Sequence, residues 1–301
     1  MDTVTFKNLP KLHMNLLAQL VQNIVNAISP AKIICYGYRI NTINHWSCFG
    51  EPNMFGDKPI PTFYLLILTN SNERRSNHEI SDLAEQCATS LGANVAIISQ
   101  HLETANNAFE NNSRFISAVY NQGTILFNMN GSVMPVAANE RNVSDLKDLI
   151  NDSWNRYFGM SQRFLTTADF CFSNGWYEQA VFELHQSVEH ACAAVLRVIM
   201  GFRPTTHNIS RLLGLIGNFS HALTMVFPRQ TKEETDLFNI LNRAYSESRY
   251  NDKYVVSVEV ANILRVRVAD FLSIAQEIYD KKRLSLESNQ QISFPLKYDK
   301  K

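Results

Sequence analysis

The stretch Gly175–Arg197, GWYEQAVFELHQSVEHACAAVLR, decides the reading of this chain. Val181, Leu184, Val188, Ala191 and Val195, continued by Ile199, recur at the three- and four-residue spacing that lines one stripe of an α-helix. Beside that stripe Phe182, His185, Gln186 and Glu189 fall on a second face, polar and ordered in type. A helix with such a stripe needs neighbours to bury it, so the flanking sequence is read for more helices.

They are there on both sides. Upstream, Asn142 or Ser144 can cap a helix that runs through Trp154, Phe158, Phe164 and Ala168 to about Asn174, where Gly175 offers a stop. Downstream, helical patterns run over Asn208–Phe219, Lys232–Tyr250 and from Val256 to about Leu286. Short loops between them predict an all-α bundle over residues 139–286. The tail SNQQISFPLKYDKK shows no period, and residues 287–301 are expected to be loose or docked as an arm.

Residues 1–138 read differently. A helical period over Pro10–Ser29 stops at Pro30 and is followed by the apolar run AKIICYG, ending at Gly37. After a polar loop come FYLLILT, a helix over Ser76–Leu91, the strand NVAIIS, a helix through Phe109, Phe115, Ile116 and Val119, and the strand GTILF. That order is α/β or α+β. The composition shifts near VMPVAANERNVSDL, which sets the expected boundary.

The chain has 301 residues, 45% hydrophobic and 19% charged, enough for two domains with cores of their own. Its 28 basic and 28 acidic residues cancel, so any polyanion site must be local. The five cysteines lack CxxC spacing and read as reduced core thiols. The start MDTVTFKNLPKLHMN lacks the basic-then-apolar order of a secretory signal, and no apolar run reaches the ~18 residues of a membrane span. A cytoplasmic protein without membrane attachment is expected.

The run from Gly175 to Arg197 resembles the signature of the HEPN family (higher eukaryotes and prokaryotes nucleotide-binding), with Phe182, Gln186 and Glu189 at the matching aromatic, glutamine and glutamate positions. PTTHNISRLLGLI resembles the opening of that family's next helix, with His207 and Ile209 in place. The closing signature of its ribonuclease members is an arginine, a short spacer and a histidine, often followed by a tyrosine. In RAYSESRY, Arg243 and Tyr250 match while Ser248 stands at the histidine position. Imidazole can deprotonate a ribose hydroxyl near neutral pH and an unactivated serine cannot, so ribonuclease activity is expected to be absent.

This ending is more similar to the sacsin-type variety, for which nucleotide or polyphosphate binding is implied. Arg243, Glu247 and Tyr250 share a face by i, i+4, i+7 spacing, with Arg249 and Lys253 near. The resemblance implies Arg243, Arg249, Tyr250, Lys253, Gln186, Glu189 and His207 as ligand-binding residues, a nucleotide or RNA as ligand, and a homodimer through the bundle. Gln186 and Glu189 are expected to pair with the Arg243 helix or across the dimer. His207 beside Asn208 reads as a capping or loop histidine. His185 with Glu189 and His190 lacks the third ligand a zinc site needs.

The N-terminal half resembles the minimal nucleotidyltransferase domain that accompanies HEPN domains. That family has a strand, a Gly-Ser turn for the triphosphate and two acids at alternate strand positions for Mg²⁺. Here Gly37 is followed by Tyr38, and the acid positions fall on Thr62 and Tyr64. Neither is an acid, and Asp57 lies in a loop, so a degenerate site without Mg²⁺ is expected. His45, Trp46 and Cys48, in the polar loop, match no nucleophile or zinc pattern. The function expected is that of a non-catalytic nucleotide- or RNA-phosphate-binding protein without a cofactor. The alternatives are a divergent ribonuclease using His207 or His185, and an assembly module of a toxin–antitoxin or defence kind.

Overall fold

The structure, a computed structural model, describes residues 9–40, 45–47, 61–129 and 143–292. The chain divides into two units, one of Met1–Asn139 with Met200–Met225 and the other of Glu140–Ile199 with Val226–Lys301.

The first unit carries a sheet. Helix α1 (Lys11–Ile28) leads into β1 (Lys32–Arg39), which pairs antiparallel with β3 (Thr62–Thr69). β3 pairs parallel with β4 (Asn94–His101), and helix α2 (Asn77–Thr89) makes the crossover between them. On the other side of β1 lie β2 (His45–Ser47), against Gly37–Arg39, and β5 (Thr124–Asn128), against Lys32–Cys35. The sequence places β2 in the polar loop, since three residues are too few to show alternation.

One sheet face buries Ile33, Cys35, Phe63, Leu65 and Ile67 against the Leu17, Leu20, Ile24 and Ile28 stripe of α1 and Ile80, Ala84 and Ala88 of α2. Each such aliphatic side chain, fully buried, contributes roughly 1.5–3 kcal/mol. Ser76 and Glu79 close a capping box that starts α2. Arg75 fixes the end of α1, donating to the Ala27 and Ile28 carbonyls at 2.9 and 3.0 Å while Glu73 accepts from its Nε and Nη2.

The other face buries Tyr36 and Tyr64, with ring centroids 6.1 Å apart, and Phe115 edge-on to Tyr36 at 5.7 Å. The helix read through Phe109 and Val119 is two, α3 (Leu102–Glu110) and α4 (Arg114–Gln122), because Asn112 turns to φ 56° between them. Helices α7 (Ile209–Ile216) and α8 (His221–Met225) also belong to this unit. Arg211 on α7 is ion-paired to Asp82 and Glu85 of α2, and the Gly217 carbonyl accepts from Arg39 of β1. The segment expected inside the helical bundle is therefore grouped with the sheet. Its apolar period showed that one face is buried, not by which partner.

The second unit is helical: α5 (Val143–Ser173), α6 (Tyr177–Met200, its last residue counted with the first unit), α9 (Lys232–Tyr250) and α10 (Val258–Ile292). Gly175, at φ 75°, ends α5 in a Schellman arrangement, with the Trp176 amide donating to the Cys171 carbonyl at 3.0 Å. Ser161 and Ser187 each donate to the other's carbonyl, at 2.7 and 2.9 Å, so small buried residues let α5 and α6 approach closely. Trp154 is stacked between Phe158 at 4.2 Å and Tyr279 of α10 at 4.4 Å, and Phe227 joins Phe238 and Phe271. Of the aromatic series on α5, Trp154 and Phe158 are core, whereas Phe170 is exposed beside Trp176. α10 runs on to Ile292, past the Leu286 end expected. Among the described residues no helix is long and apolar enough to cross a membrane.

Candidate functional site

In the helical unit the residues of interest lie where α6 meets α9. Thr231 and Glu234 form a capping box that sets the start of α9 and hence the phase of its faces. His185 of α6 is fully buried, with Nδ1 2.9 Å from the Leu241 carbonyl. A carbonyl can only accept, so Nδ1 carries the proton and Nε2 is left toward Glu189, 3.6 Å away. The His185 ring also lies 5.8 Å from that of Tyr245. Gln186 donates to Glu189 at 3.4 Å, and His190 turns back onto the Gln186 carbonyl at 2.9 Å. His185, one place before Gln186, thus bonds directly to the Arg243 helix, while the hydrogen bonds described for Gln186 stay within α6.

At the end of α9, Arg249 donates from Nε to the Tyr245 carbonyl at 2.8 Å. Its guanidinium carbon lies 4.4 Å from the Tyr245 ring centroid, 5.2 Å from that of Tyr250 and 5.6 Å from that of Phe182. Three rings and one carbonyl hold this arginine at the surface. Its terminal nitrogens make no hydrogen bond among the described residues, and Tyr250 is 80% exposed. Arg243 is engaged separately, 3.8 Å from Glu247, with 63% of its side chain exposed. Lys253 is exposed past the helix end, its amide donating to Asn251 at 3.0 Å. Tyr254 closes that turn by donating to the Ile240 carbonyl at 2.9 Å, and burial pushes its phenol well up.

Ser248, at the position of the missing histidine, donates to the Ala244 carbonyl at 2.6 Å, so its hydroxyl is spent on its own helix. Sequence reasoning missed Tyr245, although its i, i+4 relation to Arg249 was a usable signal. His207 belongs to the other unit, where it is exposed and Asn208, not His207, caps α7 by accepting from the Arg211 amide at 3.2 Å.

Residues 154–284 match the HEPN domain. Among curated proteins none matches the chain. The HEPN match covers Phe182, His185, Tyr245 and Arg249 and also takes in Met200–Met225, the segment grouped with the sheet.

In the sheet unit the expected degenerate site is built differently from the sequence reading. Gly37 does not end the strand in a turn: β1 continues to Arg39 through a bulge between Cys35 and Gly37. The resulting register sets Arg39 opposite Thr62 and Gly37 opposite Tyr64. Arg39 is 3% exposed and donates to the Gly217 carbonyl at 3.1 Å. Tyr64 is fully buried, and burial pushes its phenol up to about 12 against the opposing effect of Arg39. The positions at which the resembled family carries two carboxylates hold a threonine and a tyrosine beside a buried guanidinium. Asp57 and Cys48 lie outside the described residues, and of His45 and Trp46 only the backbone, in β2, is described.

Proposed function

We propose that the HEPN-matching unit binds a nucleotide or an RNA phosphate at the exposed end of α9 and does not cleave it. Arg249 is the phosphate fork, Tyr250 the ring on which a base stacks, and Arg243 and Lys253 supply flanking positive charge. The observation that carries this reading is the preorganised guanidinium: Nε is anchored on the Tyr245 carbonyl, rings surround the plane, and the terminal nitrogens have no partner among the described residues. An arginine already ordered loses little side-chain freedom when phosphate arrives.

The non-catalytic half of the reading rests on Ser248 and His185. The serine hydroxyl is engaged within α9, and the imidazole is buried with one nitrogen committed to Leu241. A general base must come within hydrogen-bond reach of a ribose hydroxyl, and a fully buried ring does not meet solvent-borne substrate. The N-terminal unit is read as an inactive, nucleotidyltransferase-like scaffold in which Arg39, Tyr36 and Tyr64 fill the sheet face where that family would carry its acids, and the helical unit as the sacsin-type variety. A homodimer through the helical unit belongs to the same proposal, supported by the exposed, edge-to-face Phe170 and Trp176 pair on that unit.

A thermal-shift series with ATP, GTP and a short RNA tests it on wild type, Arg249→Ala and Tyr250→Ala. A ligand at about 100 times its Kd stabilises by about 2.7 kcal/mol. Wild type is expected to shift and Arg249→Ala to lose the shift. Equal shifts in all three proteins would contradict the assignment.

A further inference from the structure

Among the described residues β4 is the edge of its sheet, paired with β3 alone. The Asn94 amide donates to the Pro61 carbonyl at 2.8 Å, which fixes the parity of the parallel ladder. Asn94, Ala96 and Ile98 therefore turn their backbone groups toward β3, and Val95, Ile97 and Ser99 turn theirs outward. No hydrogen bond among the described residues reaches the outward amides and carbonyls of Val95 and Ile97. An open row of this kind is a template for another strand.

The row opens into a cleft of about 440 Å³ between α2 and α7. At its floor α7 packs closely on β4: a Cβ on Gly214 would stand 3.8 Å from that of Ala96, in van der Waals contact. Across the cleft Arg211 reaches from α7 to α2, giving Nε and Nη2 to the Glu85 carboxylate at 2.9 and 3.0 Å and Nη2 also to Asp82. Two carboxylates share one guanidinium, so the cleft keeps one negative charge beyond its own cation. The chain's own arginine shows how that wall receives a guanidinium.

We infer that this cleft takes an extended peptide segment of a partner protein, added alongside β4, with an arginine or lysine side chain lodged on Asp82 and Glu85. The Val95 and Ile97 backbone groups supply main-chain hydrogen bonds, which are indifferent to sequence. The acidic pair selects a basic residue, in competition with Arg211. This site is independent of the phosphate face on the helical unit.

The probe is a labelled peptide, acetyl-Thr-Val-Arg-Val-Thr-Val-amide, titrated against the full chain by fluorescence anisotropy, with amide exchange followed at Val95 and Ile97. Binding is expected to slow exchange at both amides. Methylating alternate peptide nitrogens is expected to weaken binding about tenfold or more, as loss of hydrogen bonds worth about 1 kcal/mol each requires. Asp82→Asn with Glu85→Gln is expected to weaken it about tenfold, and Arg211→Ala to tighten it by removing the internal competitor. The methylated peptide leaves the protein untouched, so it decides the matter even where a variant is poorly folded. Absence of binding at millimolar peptide, binding indifferent to N-methylation, or unchanged exchange at Val95 and Ile97 would overturn the inference.

Discussion

His185 donates its Nδ1 proton to the Leu241 carbonyl at 2.9 Å, tying the polar face of α6 to the helix that carries Arg249. The ring beside it is Tyr245, the residue whose carbonyl and ring in turn hold Arg249. A buried imidazole thus supports the arginine at one remove.

Replacing His185 by alanine removes that support and leaves a void in a fully buried position. The expected cost is about 2–4 kcal/mol in urea unfolding. With Tyr245 freed, phosphate affinity falls in step. A variant as stable as wild type would show that the α6–α9 contact does not depend on this ring.

The Glu73 and Arg75 pair gives an acid-range prediction. Its hydrogen bonds to Arg75 hold the Glu73 carboxyl at about 2, against 4.5 ordinarily. A depressed carboxyl contributes stability that is present above the unfolded value and is lost as pH falls through the folded one. Stability is therefore expected to decline between pH 4.5 and about 2, and Glu73→Gln to flatten that part of the profile. Because Arg75 also holds the Ala27 and Ile28 carbonyls, Arg75→Ala is expected to lower stability at neutral pH as well. Unfolding followed as a function of pH in the three proteins checks the slopes.

Gly123 stands where α4 turns into β5. A Cβ there would lie 2.4 Å from the Val119 carbonyl oxygen and 2.8 Å from the Ile34 side chain. Gly123→Ala is expected to destabilise the sheet unit by about 1–3 kcal/mol, the usual cost of overpacking. A thermal midpoint unchanged from wild type would show that α4 can move away without cost.

Much of this architecture was legible in the sequence because burial follows period. The Val181, Leu184, Val188 stripe and the Gly175 stop each found the expected structure. What was not legible depends on distant partners. Ile209–Ile216 showed an apolar face, but only Arg211 meeting Asp82 and Glu85, and Gly217 meeting Arg39, give it to the sheet. The Asn111–Asn112–Ser113 run marked a break that the surrounding apolar residues obscured. At the candidate site the sequence pointed to Arg249 and Tyr250. The supporting contacts of Tyr245 and His185 became visible only when α6 and α9 were placed side by side.

The central claim is that Arg249 is an ordered fork for phosphate, and the salt dependence of RNA affinity tests it most directly. Binding of a labelled single-stranded oligoribonucleotide, measured across a range of salt concentrations, gives a slope that counts neutralised phosphates at about 0.7 per contact. Arg249→Ala is expected to weaken binding and to reduce the magnitude of that slope by about one contact's worth, with no strand cleavage in either protein. An unchanged slope and affinity in Arg249→Ala would contradict the account, as would cleavage of the oligonucleotide by wild type.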